Sequence, residues 1–282
     1  MIYYHLPGIF EHFRFYVRFL ELYETYPHMF YDWCSIGSFY GCAPGIIWSG
    51  GRLPVNVDFN EDLVVDFLKE KQIECSLVFS NLLIEENHLN DVHCNKLLEK
   101  FNYGRNSVIL TSDLLKNYIK ENYSNYKIIS SITKCIYSKE KLEKELKDTE
   151  NDLVCINHGF NKDIEYLSDL PRKRKCELLV NSQCYPFCQR AMEHYSLISK
   201  SALFESDIFF ECKKEQQLFY TTKKSHSFIS IEEIQNVYEP LGFKHFKIEG
   251  RSAREFDLLE VLLYYMVKPE FQLEIRERMI LE

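Results

Sequence analysis

The stretch Ser107-Val108-Ile109-Leu110-Thr111, followed by a helical run from Asp113 to Asn122 and then Lys127-Ile128-Ile129-Ser130-Ser131, decides the fold. Two short β-type runs rich in Val, Ile and Leu flank one helical run, which is the layout of a parallel β-α-β unit. The same alternation continues in both directions. Further strands are expected at Trp33 to Phe39, Glu74 to Ser80, Asp152 to Ile156, Cys176 to Asn181, Asp207 to Glu211 and His245 to Glu249. Further helices are expected at Asn60 to Lys71, Asp91 to Phe101, Lys139 to Lys147, Asn161 to Leu167, Tyr185 to Lys200, Ile231 to Tyr238 and Arg254 to Val267. Asn60 is placed to cap the first of these. Ser230, with Glu233 three residues on, has the capping-box pattern.

Eight strands alternating with eight helices give a single α/β domain, a (β/α)8 TIM-like barrel over residues 33–282. A doubly wound open sheet is the alternative, but no Gly-rich phosphate loop follows the first predicted strand. Residues 1–32 are expected as an N-terminal helical segment. Its stripe of Phe10, Phe13, Tyr16, Val17 and Leu20 would cover one end of the barrel or meet a protein partner.

The 282 residues are 46% hydrophobic and 27% charged, so the chain can bury a large core. A net charge of −8 argues against non-specific nucleic-acid binding. No apolar run is long enough to span a membrane, and no secretory signal pattern opens the chain, so a cytoplasmic location is expected. In that setting ten cysteines read as buried thiols, metal ligands or redox groups rather than disulfides.

A barrel carries its site at the C-terminal ends of its strands. That rule selects Arg52, Asn81, Asn181, Arg190 and Arg251 as groups to bind a small polar or anionic substrate, and Lys134, Glu249 and His158 as catalytic candidates. His5, His12 and His28 precede the predicted barrel and read as surface groups. The run Arg172 to Lys175 precedes a strand, on the opposite face, and reads as a solvated turn. Cys184 and Cys188 form C-x3-C after the sixth predicted strand, and Cys212 follows the seventh. Neighbouring strands would bring three thiols together, and three thiolates need a cation or cluster to neutralise them. An iron–sulfur cluster is expected there, with zinc as the alternative and His194 as the nearest fourth ligand. Cys176 begins its strand about 26 Å from that end, at about 3.3 Å per residue, and is set aside. The remaining cysteines read as small buried hydrophobes.

The segment Lys175-Cys176-Glu177-Leu178-Leu179-Val180-Asn181-Ser182-Gln183-Cys184, with Pro186-Phe187-Cys188-Gln189-Arg190 and His194-Tyr195, resembles the cysteine region of the peptidase U32 (collagenase-like) family. Ile132-Thr133-Lys134 and Phe246-Lys247-Ile248-Glu249-Gly250-Arg251 are similar in position and style. The resemblance implies a barrel-like fold. It also implies a [4Fe-4S] cluster of the kind carried by oxygen-independent hydroxylation factors, with Cys184, Cys188 and Cys212 as ligands. The expected function is thus redox or hydroxylation chemistry on a small polar or anionic substrate. A zinc-stabilised binding barrel without catalysis and a U32-type peptidase are the alternatives; no HExxH or recognisable nucleophile motif supports the latter.

Overall fold

The computed structural model describes residues 1–52, 60–203, 210–212 and 219–281. Eight parallel strands close into a barrel in chain order: β1 (Ile2–Pro7), β2 (Cys34–Gly41), β3 (Glu74–Phe79), β4 (Ser107–Leu110), β5 (Lys127–Ser130), β6 (Leu153–Ile156), β7 (Cys176–Leu179) and β8 (His245–Lys247). Closure comes from β1, which pairs with β2 on one side and β8 on the other.

The helices between and after the strands are α1 (Phe13–Thr25), α2 (Glu61–Lys71), α3 (Val92–Phe101), α4 (Asp113–Asn122), α5 (Lys139–Lys147), α6 (Ile164–Asp169), α7 (Ala191–Ala202), α8 (Phe219–Thr222), α9 (Ile231–Glu233), α10 (Glu239–Leu241), α11 (Glu255–Met266) and α12 (Gln272–Leu281). Their starts follow local chemistry. The Asn60 side chain accepts from the amides of Asp62 and Leu63 at the head of α2. Ser230 and Glu233 form the reciprocal capping box of α9. A π-helical turn, Ile234–Tyr238, joins α9 to α10.

Two expectations are corrected. The first barrel strand is Ile2–Pro7, so residues 1–32 are not a helical segment laid on the barrel but its first β/α unit. The stripe goes into the chain's own core, with Phe10 just before α1 and Tyr16 and Leu20 on it buried. His5 and His12, read as surface groups, are buried as well. Second, β7 pairs directly with β8, through Leu178 with Phe246 and Leu179 with Lys247. The strand expected at Asp207 to Glu211 is not among the eight described strands of the ladder. Residues 207–209 lie outside the described residues, while Phe210 and Glu211 are in no strand.

The barrel interior is unusually polar for this architecture, whose inward layers are mostly branched aliphatics. Ser107 donates to the Ser76 hydroxyl at 2.7 Å, and the Ser76 and Ser38 hydroxyls lie 3.1 Å apart. Ser38 contacts His5 Nδ1 at 2.8 Å, and His5 Nε2 lies 3.0 Å from His245 Nδ1. Burial holds the His5 imidazole down at about 3, so it is neutral.

Candidate active site at the barrel mouth

Side chains two residues further along the same inner faces form the floor of a cavity of about 470 Å³ at the C-terminal end of the barrel. Val78, Ile109 and Leu179 supply its apolar part, and Tyr40 and Lys247 its polar part. Lys247 Nζ donates to Glu177 Oε2 at 2.9 Å, with both side chains buried. The ammonium also lies 4.3 Å from the Tyr40 ring centroid, and the Tyr40 hydroxyl donates to the Ile248 carbonyl at 2.7 Å. Burial alone would raise the Glu177 carboxyl; the charge and hydrogen bond of Lys247 outweigh it and hold the group below its usual range.

One wall is a row of hydroxyls. Ser80, Ser131 and Thr133 line it. The Thr133 hydroxyl is 2.8 Å from that of Ser131 and 2.5 Å from that of Thr111.

The opposite rim is ionic. The turn after β2 brings Arg52 across the mouth, where it pairs with Glu249 and donates to the Ser252 hydroxyl at 3.2 Å. Gly50 makes that turn feasible, because a Cβ there would stand 2.2 Å from the Ser80 carbonyl oxygen. Arg251 Nη2 donates to the Arg52 carbonyl at 2.5 Å, so two guanidinium groups share one edge of the cavity. Glu249 is fixed from the other side, accepting from the Gln183 amide at 3.2 Å.

The structure sorts the expected site residues. Arg52, Arg251, Glu249 and His158 line the cavity, as do Cys184, Cys188, Cys212 and His194. Lys134, Asn81, Asn181 and Arg190 do not. Lys134 is bound to Glu145 at 2.7 Å and Asp113 at 3.6 Å. Asn81 is buried and ties loops together, donating to the carbonyls of Ile47 and Ser199. Asn181 clamps the end of β7 to that of β8, donating to the Glu249 carbonyl at 2.8 Å and accepting from its amide at 2.7 Å. It positions Glu249 rather than a ligand. Arg190 stands outside, paired with Glu193 and lying over the Phe210 ring.

The cysteines fit a metal poorly. Cys184 and Cys188 sit in the loop between β7 and α7, in which Phe187 packs close against Gly159. Cys212 also lines the cavity, and His194 is stacked on Phe210 with ring centroids 4.3 Å apart. Burial, then the nearby Arg52 and Arg190, hold the His194 imidazole below its ordinary range and so neutral. All four line one cavity, yet among the described residues no three His, Cys, Asp or Glu side chains gather closely enough to hold a metal ion. The donor set expected for a cluster is therefore not assembled, and no chemical step is assigned to one.

Lys247, with its buried partner Glu177 beneath it, is a cavity residue that the strand-end rule misses. A signal for Lys247 exists in Phe246-Lys247-Ile248-Glu249: a lysine of the same parity as Glu249, between two large apolar residues, belongs on the inner face. The run Arg172 to Lys175 is not simply a solvated turn. Arg172 and Lys175 donate to carbonyls at the end of α5 and just beyond it, Lys147 at 3.0 Å and Asn151 at 2.5 Å among them.

No family model and no curated protein sequence matches the chain. Among solved structures it is similar to the U32 peptidase Mk0906, with a TM-score of 0.54 and 12% identity, over 88% of this chain and 92% of that one. It is also similar to the Bacillus cereus spore cortex-lytic enzyme SleL, with a TM-score of 0.44 and 12% identity, over 92% of this chain and 73% of that one. The remote resemblance to the U32 family read from the β7 segment holds at the level of fold: this chain is a (β/α)8 barrel with the architecture of a U32 peptidase.

Proposed function

We propose that the protein is a U32-like barrel enzyme that binds a small anionic substrate in the mouth cavity. The observation that carries this reading is the pair of guanidinium groups, Arg52 and Arg251, on one edge of a partly apolar cavity. Guanidinium forks suit a carboxylate or phosphate, which two of them can grip at once. The apolar floor of Val78, Ile109 and Leu179 would hold the rest of the molecule. Glu249 and His158 face the same space and are the groups placed to move a proton on a bound substrate. The cysteine-rich, acidic composition supports a cytoplasmic setting.

Thermal shift with a panel of small carboxylates and phosphate esters tests the reading. Several members are expected to raise Tm for the native protein, and Arg251→Gln is expected to abolish the shift. A panel with no effect, or an unchanged response in Arg251→Gln, sinks it.

A second reading keeps redox or hydroxylation chemistry on a [4Fe-4S] cluster, or structural zinc, at Cys184, Cys188 and Cys212. Its support is that these thiols line one cavity; against it stands their failure to gather into a ligand set. Anaerobic purification with iron, sulfide and zinc analysis decides. Substoichiometric metal in fresh protein would end this reading and leave the anion site untouched.

A further inference from the structure

Glu11 lies between β1 and α1, behind the wall that carries Arg251. Its side chain is only 2% exposed, and neither carboxylate oxygen has a hydrogen-bond partner in another residue. Arg251 Nε stands 3.7 Å from Oε1, beyond good hydrogen-bond reach. Other groups near the carboxylate are Tyr16 of α1 and Cys42 after β2, and His12 follows it in the chain. None of these compensates it. The Tyr16 hydroxyl donates to the Pro7 carbonyl at 2.5 Å, and His12 Nε2 is engaged with the Arg251 carbonyl at 3.2 Å. A carboxylate taken out of water with no donor beyond its own backbone amide is unfavourable unless it is protonated or paired.

We infer that Glu11 is a proton-operated counterion of Arg251, so that an anion binding in the cavity is accompanied by uptake of one proton at the Glu11 carboxyl. The inference rests on the anion-site reading above and adds how that site is regulated. With Glu11 ionised, Arg251 is neutralised from behind, and an incoming anion must share it. When a proton from solvent forms an O–H bond at Glu11, the whole guanidinium charge is available to the ligand. Burial raises the Glu11 carboxyl to about 7 against the pull of Arg251, which places the coupling near neutral pH. By reciprocity, a bound anion raises the proton affinity of Glu11 by the same factor.

Isothermal titration with sulfate tests this, since sulfate stays a dianion from pH 6 to 8.5. Native protein is expected to bind sulfate about three- to tenfold more tightly at pH 6.5 than at pH 8. Titrations in buffers of different ionisation heat are expected to show net proton uptake on sulfate binding, larger at pH 8 than at pH 6.5. Glu11→Gln, nearly isosteric, is expected to bind tightly at both pH values with no proton uptake. A native affinity that does not change with pH, or the native pH slope persisting in Glu11→Gln, overturns the role of Glu11 while leaving the anion site standing. No sulfate binding by either protein at any pH overturns the anion site itself, and this inference with it.

Discussion

Lys247 reaches from β8 to Glu177 on β7, and each cancels a charge that would otherwise be stranded inside the barrel. Removing one partner of such a pair leaves the other uncompensated, at about 3–5 kcal/mol. Lys247→Met and Glu177→Gln are each expected to lower the urea midpoint strongly, whereas the double variant Lys247→Met with Glu177→Leu should recover most of the loss. Additive losses in the double variant would count against the pair as the reason. Glu11 behaves oppositely. Its carboxyl is raised from 4.5 to about 7, so between these values the folded state holds a proton that the unfolded state has released. Stability from this group is full below 4.5 and lost as pH rises through 7. Glu11→Gln is thus expected to stabilise by about 1–3 kcal/mol at pH 8 and by almost nothing at pH 4.5. Denaturation curves at the two pH values check the sign. Reading the sequence selected Arg52, Arg251, Glu249 and His158, which line the cavity, because a polar residue at a strand end is easy to see. It also selected Asn81, Asn181 and Lys134, since strand-end polarity does not say whether a side chain meets a ligand, a backbone carbonyl or an ion-pair partner. Glu11 carries no motif and follows a strand that the pattern did not reveal.

Among the elements, the turn from Ser49 to Arg52 couples backbone geometry most directly to the site. Gly50 lies against the carbonyl of Ser80, and a methyl group there must push one backbone away from the other. Gly50→Ala is expected to displace Arg52 and weaken sulfate binding at least tenfold while lowering Tm by only a few degrees, about what a loss of 1 kcal/mol produces. Equal sulfate affinity in this variant would show that Arg52 is not held by the turn. The elements themselves were largely legible. β4, α4 and β5 announce themselves by Val-Ile and Ile-Ile runs around an amphipathic helix, and Asn60 and Ser230 mark helix starts by capping chemistry. β1 did not. Tyr3, Tyr4, His5 and Pro7 dilute its aliphatic signal, because its inward position carries a histidine bound to Ser38 rather than a Val or Ile. The start of α7 was read six residues early, since the cysteine loop between Ser182 and Arg190 is rich enough in apolar residues to pass for a first turn.

For the whole molecule, closure rests on β1 being paired on both edges. Deleting residues 1–7 would expose the facing edges of β2 and β8 and open the core between them. The truncated protein is expected to lose cooperative thermal unfolding, where a dispensable N-terminal segment would leave it intact. The count of eight strands was right although its membership was not: a run at 207–211 stood in for the strand at 2–7, so the architecture was legible from alternation while the identity of one stave was not. The hydroxyls and imidazoles inside the barrel have a further consequence. Each serine owns one hydrogen. If Ser107 gives its own to Ser76 and the links run head to tail from there, Ser76 gives to Ser38, and Ser38 gives to His5 Nδ1. His5 must then carry its proton on Nε2 and offer it to His245 Nδ1, which leaves the His245 proton on Nε2 as well. A row run this way has a polarity, like arrows fixed at one end, and the tautomer of an imidazole on β8 is then written by a serine on β4. Nitrogen-15 shifts of the two imidazoles should report both as Nε2–H in the native protein, and Ser107→Ala should release the row to run either way.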